Sequence, residues 1–172
     1  MSKTLNSSSE TSQIEGQAVN LKVKQYFKAV AHARYVIRRV LRIVDEQAKK
    51  ESLEPLEHQA LIQVCGPQNG PVMITELANR LDIVPAFASR LVRDLEEKDL
   101  VSRRRSEYDK RVTLVAITTQ GTEVLSRINE RVRLHVDVFK DELSDEERSD
   151  AFSVFAFYVG MPQGIQDLGE DL

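Results

Sequence analysis

Residues 74–121, which read ITELANRLDIVPAFASRLVRDLEEKDLVSRRRSEYDKRVTLVAITTQG, decide the fold. The first part predicts a short helix over about residues 75–81, followed by Asp82 in a turn. Pro85, at a favoured first helical position, begins a second helix that continues to about Lys98. The apolar residues that would face inward are Leu77, Leu81, Ala88, Leu91 and Leu95. A helix, a tight turn and a Pro-initiated helix indicate a helix-turn-helix.

Two β-prone runs follow, at residues 101–105 and 111–117, with the polar link SEYDK between them. Alternation of side chains along the second run predicts a twisted hairpin. Basic residues surround its turn: Arg103, Arg104, Arg105, Lys110 and Arg111. A helix fits the major groove of DNA, and arginine fits a narrow minor groove. The helix-turn-helix and the basic hairpin together predict binding to double-stranded DNA.

The helix that begins at Pro85 offers a candidate surface for the major groove. Arg90 and Arg93 lie on its polar side with Ser89 beside them, and its tip carries Pro85, Ala86 and Phe87. Short side chains let the backbone approach DNA, and arginine reaches guanine edges or phosphates. The alternative is a solvated helix face balanced by Asp94, Glu96 and Glu97. The adjacent basic hairpin favours DNA binding over that alternative.

The remaining segments predict a mainly α-helical chain with a small β-hairpin. We expect a mobile tail over residues 1–20, and one long amphipathic helix from about 22 to 50. Residues 21–52 and 119–172 would form a helical dimerisation region, and residues 53–118 the winged helix-turn-helix. Local signals set the other helix ends: Pro55 begins a helix that Gly66 ends, Thr118 or Thr119 caps the next, and Ser144 with Glu147 forms a capping box for the last.

Composition excludes several classes of protein. Of 172 residues, 41% are hydrophobic and 30% charged, and the net charge is −3. No apolar run approaches the roughly 18 residues of a membrane span, and no secretory signal is present. One cysteine cannot form a disulfide within the chain, and three histidines with one cysteine are too few to favour a metal site. We therefore expect a cytoplasmic protein without a cofactor. The sequence shows neither a phosphate-binding loop nor a nucleophile–base pair with recognisable spacing, so it does not predict an enzyme.

Residues 74–121 resemble the winged helix-turn-helix core of the MarR family of bacterial transcription regulators, and the similarity extends over about residues 22–160. The sequence DKR at 109–111, followed by Thr118 and Gly121, matches the family's D-R-R…L-T-x-x-G wing. The resemblance implies that Arg111 enters the minor groove and that Arg103 is the family's strand arginine. Asp109 would orient Arg111, because a short acid can fix a guanidinium in a bidentate pair.

Three positions depart from the family pattern. Val84 stands where the family has a Ser or Thr helix cap. Loss of such a cap destabilises the start of a helix by about 1 kcal/mol. Phe87 replaces a small polar residue; it would either meet a thymine methyl group or pack back on a neighbouring helix. Asp99 replaces a glycine before the first strand. These departures bear on base preference more than on the fold.

An arginine row on the first helix is the other informative feature. Arg34, Arg38 and Arg42 are spaced at i, i+4 and i+8, and like charges at this spacing are mildly destabilising. Either they pair with the acidic segment 141–150, or they bind an anionic ligand. The ligand would be an aromatic carboxylate or its coenzyme A thioester. Ring contacts from Tyr26 and Tyr35 would assist, although packing roles suit both tyrosines as well.

Together these features predict a homodimeric repressor that binds a palindromic site and is released by a small anionic ligand. The dimer would bury apolar stripes that include Val23, Phe27, Val30, Phe152 and Phe155. Two alternatives stay open. One is redox sensing through Cys65, although a helix C-terminus disfavours a thiolate. The other is a winged-helix module that binds proteins rather than DNA.

Overall fold

The structure, a computed structural model, describes residues 4–66 and 70–161. Its elements in chain order are α1 (Thr4–Lys50), α2 (Pro55–Cys65), β1 (Val72–Met73), α3 (Ile74–Arg80), α4 (Pro85–Glu97), β2 (Val101–Arg105), β3 (Thr113–Ile117), α5 (Thr119–Glu142) and α6 (Asp145–Tyr158). The fold is mainly helical with one small antiparallel sheet, as the sequence predicts. The helix-turn-helix consists of α3 and α4.

Helix α1 begins at Thr4, far earlier than the predicted start near residue 22. The segment predicted to be a mobile tail is therefore helical from Thr4 onward. Its Ser, Thr, Asn and Gln residues give no apolar periodicity, but none of them stops a helix as proline does. Because elongation of an existing helix costs far less than nucleation, a strong downstream helix extends into such a segment.

The sheet has three strands in the order β1-β3-β2. Strands β2 and β3 pair antiparallel from Val101 opposite Ile117 to Arg105 opposite Thr113. We call these two strands and their connecting turn the wing, residues 101–117. Strand β1 was not predicted, because two residues are too few to show alternation; its Val72 pairs with Val115. Strand β3 also begins at Thr113 rather than at residue 111, because the preceding residues form the turn.

Residues 41–138 form one compact unit with its own hydrophobic core. Leu61, Leu77, Leu95, Val115 and Ile128 are at most 1% exposed and come from α2, α3, α4, β3 and α5. Such close packing of helices on one sheet face fixes α4 relative to the wing.

Three ion pairs fix the connection from α1 to α2 and the start of α2 within this unit. Glu51 accepts hydrogen bonds from Arg127, with an Nη2–Oε2 distance of 2.8 Å, and from Arg131. Glu57, buried in α2, accepts from Lys98 Nζ at 2.7 Å. Lys98 also donates to the Ser52 carbonyl at 2.9 Å, so the C-terminal end of α4 is fixed to this corner.

Capping follows the sequence signals at most helix ends. Ser144 and Glu147 form the predicted capping box of α6, and Glu54 with Glu57 forms another at α2. Thr118 caps α5, since its Oγ1 accepts from the Gly121 N–H at 3.0 Å. Helix α4 begins after Val84 without a side-chain cap, as the departure from the family pattern predicts.

Asp99 adopts a left-handed backbone conformation, with φ of 58°. Left-handed geometry is costly for residues that have a Cβ and free of that cost for glycine. The structure thus supplies the physical reason for the family's glycine at this position. Asp is among the residues that tolerate the conformation best, so the turn between α4 and β2 still forms.

The described residues within 1–40 and 139–172 form a second unit. Within it, Phe139 is 2% exposed and contacts Tyr35 edge to face, with ring centroids 6.1 Å apart. Lys28 Nζ lies 2.5 Å from Glu146 Oε1, and His32 Nδ1 lies 2.8 Å from Asp150 Oδ2. The ring contact joins α1 to α5, and the two ion pairs join α1 to α6.

Candidate nucleic-acid interface

The N-terminal end of α4 is exposed and carries both polar and aromatic groups. Ser89 Oγ donates to the Pro85 carbonyl at 2.9 Å, which turns this hydroxyl back onto the helix. Phe87 is 40% exposed, and the Arg90 guanidinium lies 5.9 Å from its ring centroid. A cation at this distance is attracted to the ring face. Phe87 and Arg90 therefore form one exposed pair.

The tip of the wing is ordered by hydrogen bonds to two short side chains. Buried Ser106 accepts at Oγ from the backbone N–H groups of Tyr108 and Asp109, at 3.3 and 3.4 Å. Asp109 Oδ1 accepts from the Arg111 backbone N–H at 2.8 Å. An aspartate that bonds the N–H two residues on forms a side-chain-closed turn. The tip is thus fixed by its own sequence.

The predicted bidentate pair between Asp109 and the Arg111 guanidinium is wrong for this structure. The carboxylate accepts the backbone N–H of Arg111 instead, and no ion pair joins the two side chains among the residues described. Asp109 therefore positions Arg111 through the turn rather than through its side chain. The Arg111 side chain is exposed.

Arg105 spans the base of the same turn. Its Nη1 donates to Thr113 Oγ1 at 3.1 Å and to the Arg111 carbonyl at 3.4 Å. These bonds use a charged side chain to connect β2 to β3. Arg105 is still exposed, so its positive charge adds to that of the wing.

Arg103 is held by Glu96 of α4. Its Nε donates to Glu96 Oε2 at 2.6 Å, and its backbone N–H donates to Glu96 Oε1 at 3.2 Å. The hydrogen bond from the Arg103 side chain lowers the pKa of the Glu96 carboxyl below its ordinary value. Sequence reasoning treated Glu96 only as a balancing charge, because nothing in its local pattern shows that it lies beside β2.

A groove of about 430 Å³ lies between the start of α4 and the wing. Five of the predicted DNA-binding residues line it: Pro85, Ser89, Arg103, Arg105 and Arg111. The other predicted residues lie outside its lining: Ala86, Phe87, Arg90, Arg93, Asp109 and Lys110. Three arginines and no acidic residue line this groove, which makes it a favourable site for phosphate oxygens.

Tyr108 is an exposed residue that the sequence analysis did not select. It lies at the tip of the wing, and its relative exposure is 101%. The hydrogen bonds of Ser106 fix its backbone, so the ring projects from an ordered turn. Its position in the sequence, between the two basic runs of the hairpin, could have identified it as a residue of the wing tip.

The arginines predicted to bind a ligand lie along α1, exposed to solvent. Arg34, Arg38 and Arg42 are exposed on α1, and Arg42 Nε lies 3.9 Å from Glu46 Oε1. Within the described part of the chain, no ion pair involves Arg34 or Arg38. The acidic segment 141–150 pairs with other bases: Lys28, His32 and Arg39.

The two tyrosines predicted to assist these arginines make ring contacts instead. Tyr26 packs edge to face on Phe27 at 5.4 Å, and Tyr35 packs on Phe139. Both are about half exposed. These contacts match the packing roles that the sequence left open for both tyrosines.

An apolar cavity of about 380 Å³ lies elsewhere, among α1, α2 and α5 within residues 41–138. Its lining is Val44, His58, Ile62, Cys65, Gly66, Leu125, Ile128, Asn129 and Val132, so none of the predicted ligand-binding residues takes part. His58 is 4% exposed, and its Nδ1 has no hydrogen-bond partner. Burial lowers the pKa of His58, and the nearby Asp45 partly opposes that shift.

The sequence model of the MarR family matches residues 64–113, the segment that contains the helix-turn-helix and most of the wing. This segment of the chain is similar to the MarR family. The match ends at the first residue of β3, so the segment that resembles the family also forms the groove.

Individual curated proteins and one solved structure are also similar to this chain. The uncharacterized HTH-type transcriptional regulator YpoP of Bacillus subtilis is 29% identical over 103 residues, which cover 56% of this chain and 72% of YpoP. The HTH-type transcriptional repressor MdtR of the same organism is 24% identical, over 47% of this chain and 56% of MdtR. The Staphylococcus aureus MepR–DNA complex has the same fold, with a TM-score of 0.60 at 18% identity over 74% of this chain and 93% of MepR.

Residues 4–66 and 70–161 contain neither a membrane-spanning helix nor a metal-binding cluster. No helix there combines the length and apolar composition that a membrane span needs. No group of three or more His, Cys, Asp or Glu side chains there could hold a metal ion.

Proposed function

We propose that this chain is a DNA-binding transcription regulator that acts as a homodimeric repressor and is released by a small molecule. The observation that carries the proposal is the groove between α4 and the wing, which Arg103, Arg105 and Arg111 line. A helix end and a basic hairpin on one rigid sheet would contact the major groove and an adjacent minor groove together.

Relatives support DNA binding and repression. MepR, which shares the fold, has been crystallised with DNA, and MdtR is named a transcriptional repressor. Both features come to this chain as part of the proposal. The proposed DNA-binding part is residues 53–118, with the flanking helices forming the dimerisation region.

Exposed apolar side chains in the second unit support a dimer. Phe27 is 62% exposed and Phe155 is 54% exposed, and Val23 and Phe152 are each nearly half exposed. Homodimer interfaces bury large apolar side chains such as these. A two-fold dimer would bind a palindromic site with half-sites about one helical turn apart.

DNA binding is tested by fluorescence anisotropy with the chain's own upstream DNA. Arg111→Ala and Arg90→Ala should each weaken binding by roughly 1–3 kcal/mol, as loss of a base or groove contact does. Arg34→Ala removes the same charge from α1 and is the matched control, which should bind as wild type does.

A wild-type protein that shows no affinity for its upstream DNA above that for unrelated DNA would contradict the proposal. That result would favour the protein-binding alternative. If Arg111→Ala and Arg90→Ala both bind as tightly as the Arg34 control, then neither the groove residue Arg111 nor the exposed face of α4 contacts DNA.

A further inference from the structure

We infer that Phe87 and Arg90 read DNA bases as one unit: the Phe87 ring contacts a thymine methyl group, and the Arg90 guanidinium bonds a guanine within about two base pairs of that thymine. We call these two residues the reading pair. The inference rests on the proposed DNA binding and deepens it, because it names the base features that α4 recognises. It assigns the exposed apolar tip of α4 to one occupant, the base edges of the major groove.

The first turn of α4 presents an apolar surface. Val84 is 66% exposed and Phe87 is 40% exposed, and Pro85 and Ala86 between them are exposed as well. The helix begins without a side-chain cap, and the Ser89 hydroxyl donates to the Pro85 carbonyl at 2.9 Å. In the major groove the apolar group on a base edge is the thymine methyl. An apolar helix tip therefore favours thymine.

Arg90 supplies the hydrogen bonds that the apolar tip lacks. Helix geometry places it on the side of α4 opposite the buried Val92 and Leu95. Among residues 4–66 and 70–161, no ion pair or hydrogen bond occupies its guanidinium. Arginine bonds guanine O6 and N7 with two parallel N–H groups, which makes guanine its preferred base.

The distance between the two side chains sets the spacing of the two bases. The Arg90 guanidinium carbon lies 5.9 Å from the Phe87 ring centroid. Neighbouring base pairs are stacked about 3.4 Å apart, so this distance spans fewer than two steps of the duplex. Attraction between the cation and the ring also restricts the flexible arginine before it binds, which reduces the entropy lost on binding. Loss of the ring should therefore weaken both contacts.

The neighbouring groove has a different role. Pro85 and Ser89 line it together with Arg103, Arg105 and Arg111, whereas the reading pair lies outside its lining. An arginine-lined groove suits phosphate oxygens, and phosphate contacts position a protein on DNA without reading its sequence. The reading pair is thus the part of this surface that distinguishes bases.

The test removes single groups from the DNA. The bound segment of the upstream DNA is located by footprinting, and each of its thymines is then replaced by deoxyuridine, which lacks the methyl group. Replacing the contacted thymine in both half-sites should raise the Kd about tenfold in fluorescence anisotropy titrations. Replacing a guanine within two base pairs of it by 7-deazaguanine, which lacks the N7 acceptor, should have a similar effect.

Variants assign each effect to its side chain. Phe87→Ala should bind thymine and uracil DNA with Kd values within about twofold, and Phe87→Leu, which keeps an apolar contact, should retain part of the preference. Arg90→Ala should lose its sensitivity to 7-deazaguanine. Tyr108→Ala removes an exposed ring from the wing and is the matched control. Whatever its affinity, it should keep the tenfold uracil effect, because the thymine methyl lies in the major groove.

The outcomes for the reading pair and for DNA binding are separable. If no thymine replacement raises the Kd, or if Phe87→Ala keeps the wild-type sensitivity to uracil, the inference is wrong and the proposed DNA binding stands. A sensitive guanine that lies more than two base pairs from the sensitive thymine would also refute the pairing. If the wild-type chain does not recognise its upstream DNA, both the inference and the proposed function fail. Circular dichroism melts confirm that each variant is folded.

Discussion

The Arg103 side chain on β2 is bound to the Glu96 carboxylate on α4, with Nε 2.6 Å from Oε2. A second bond, from the Arg103 backbone N–H to Oε1, fixes the strand itself at 3.2 Å. The two elements proposed to contact DNA are therefore joined to each other. An acid beside a DNA-binding surface would ordinarily oppose binding, but here it sets the position of the wing.

Glu96→Gln should weaken DNA binding about fivefold, although it removes a negative charge near the DNA. The reason is the loss of the ion pair with Arg103, which contributes roughly 1 kcal/mol to holding the wing in position. Fluorescence anisotropy against the upstream DNA measures the change. Glu97→Gln removes the same charge from the neighbouring position, which is exposed, and should not weaken binding. Equal effects of the two variants would show that Glu96 acts only through its charge.

Substitutions at Asp109 distinguish its two possible roles. Asp109→Asn keeps an oxygen that accepts the Arg111 backbone N–H, so DNA affinity should stay within about twofold of wild type, which corresponds to less than 0.5 kcal/mol. Asp109→Ala removes the acceptor and should reduce the affinity further. If Asp109→Asn lowers the DNA affinity as much as Asp109→Ala does in the anisotropy titration, then Asp109 acts through its negative charge near Arg111 and not through the turn.

Gly121→Ala should strongly destabilise the fold. A Cβ at Gly121 would lie 2.2 Å from the Leu100 carbonyl oxygen, a backbone atom that cannot move aside alone. We expect the free energy of unfolding in urea to fall by about 2 kcal/mol or more. Gly66→Ala is the matched control, since its Cβ would meet only ordinary contact at 3.5 Å. An equal loss in both variants would exclude a steric cause.

The ion pairs of Glu51 predict a pH dependence of stability. Hydrogen bonds from Arg127, and then from Arg131, lower the pKa of Glu51 in the folded state, although burial opposes them. Stabilisation by an acid with a lowered folded pKa is complete above its unfolded pKa, near 4.5, and is lost as the pH falls through the folded value.

Glu51→Gln should therefore lower the free energy of unfolding by about 1–2 kcal/mol at pH 7 and by much less near pH 3. Urea denaturation at both pH values measures this difference. A constant difference between wild type and variant across that range would contradict the role of the charge.

Phe155→Glu should dissociate the dimer without unfolding the chain. Phe155 is 54% exposed in the single chain, so a charge there costs the monomer little, whereas burial in an interface would leave that charge unpaired. Light scattering should report half the wild-type mass, with an unchanged far-UV spectrum. A wild-type chain that is already monomeric at micromolar concentration would refute the dimer.

Local signals in the sequence determined the helix ends, the hairpin and the helix-turn-helix. Pro55, Pro85 and the Ser144–Glu147 capping box act within one turn of helix, and their effects are independent of the rest of the molecule. The basic residues of the wing were predicted for the same reason, since they are adjacent along the chain. The start of α1 was missed because helix elongation is cooperative and leaves no apolar pattern in a polar segment.

Only the tertiary structure decided which side chains meet. It brought the Glu96 carboxylate against Arg103 and paired Val72 with Val115 in a third strand. It also formed an apolar cavity that neither Arg34 nor Arg38 lines. It also buried His58 Nδ1, which has no hydrogen-bond partner among residues 4–66 and 70–161. These contacts join different secondary-structure elements, and their geometry depends on how whole helices pack on the sheet. Periodicity identifies a buried face, but it does not specify what that face meets.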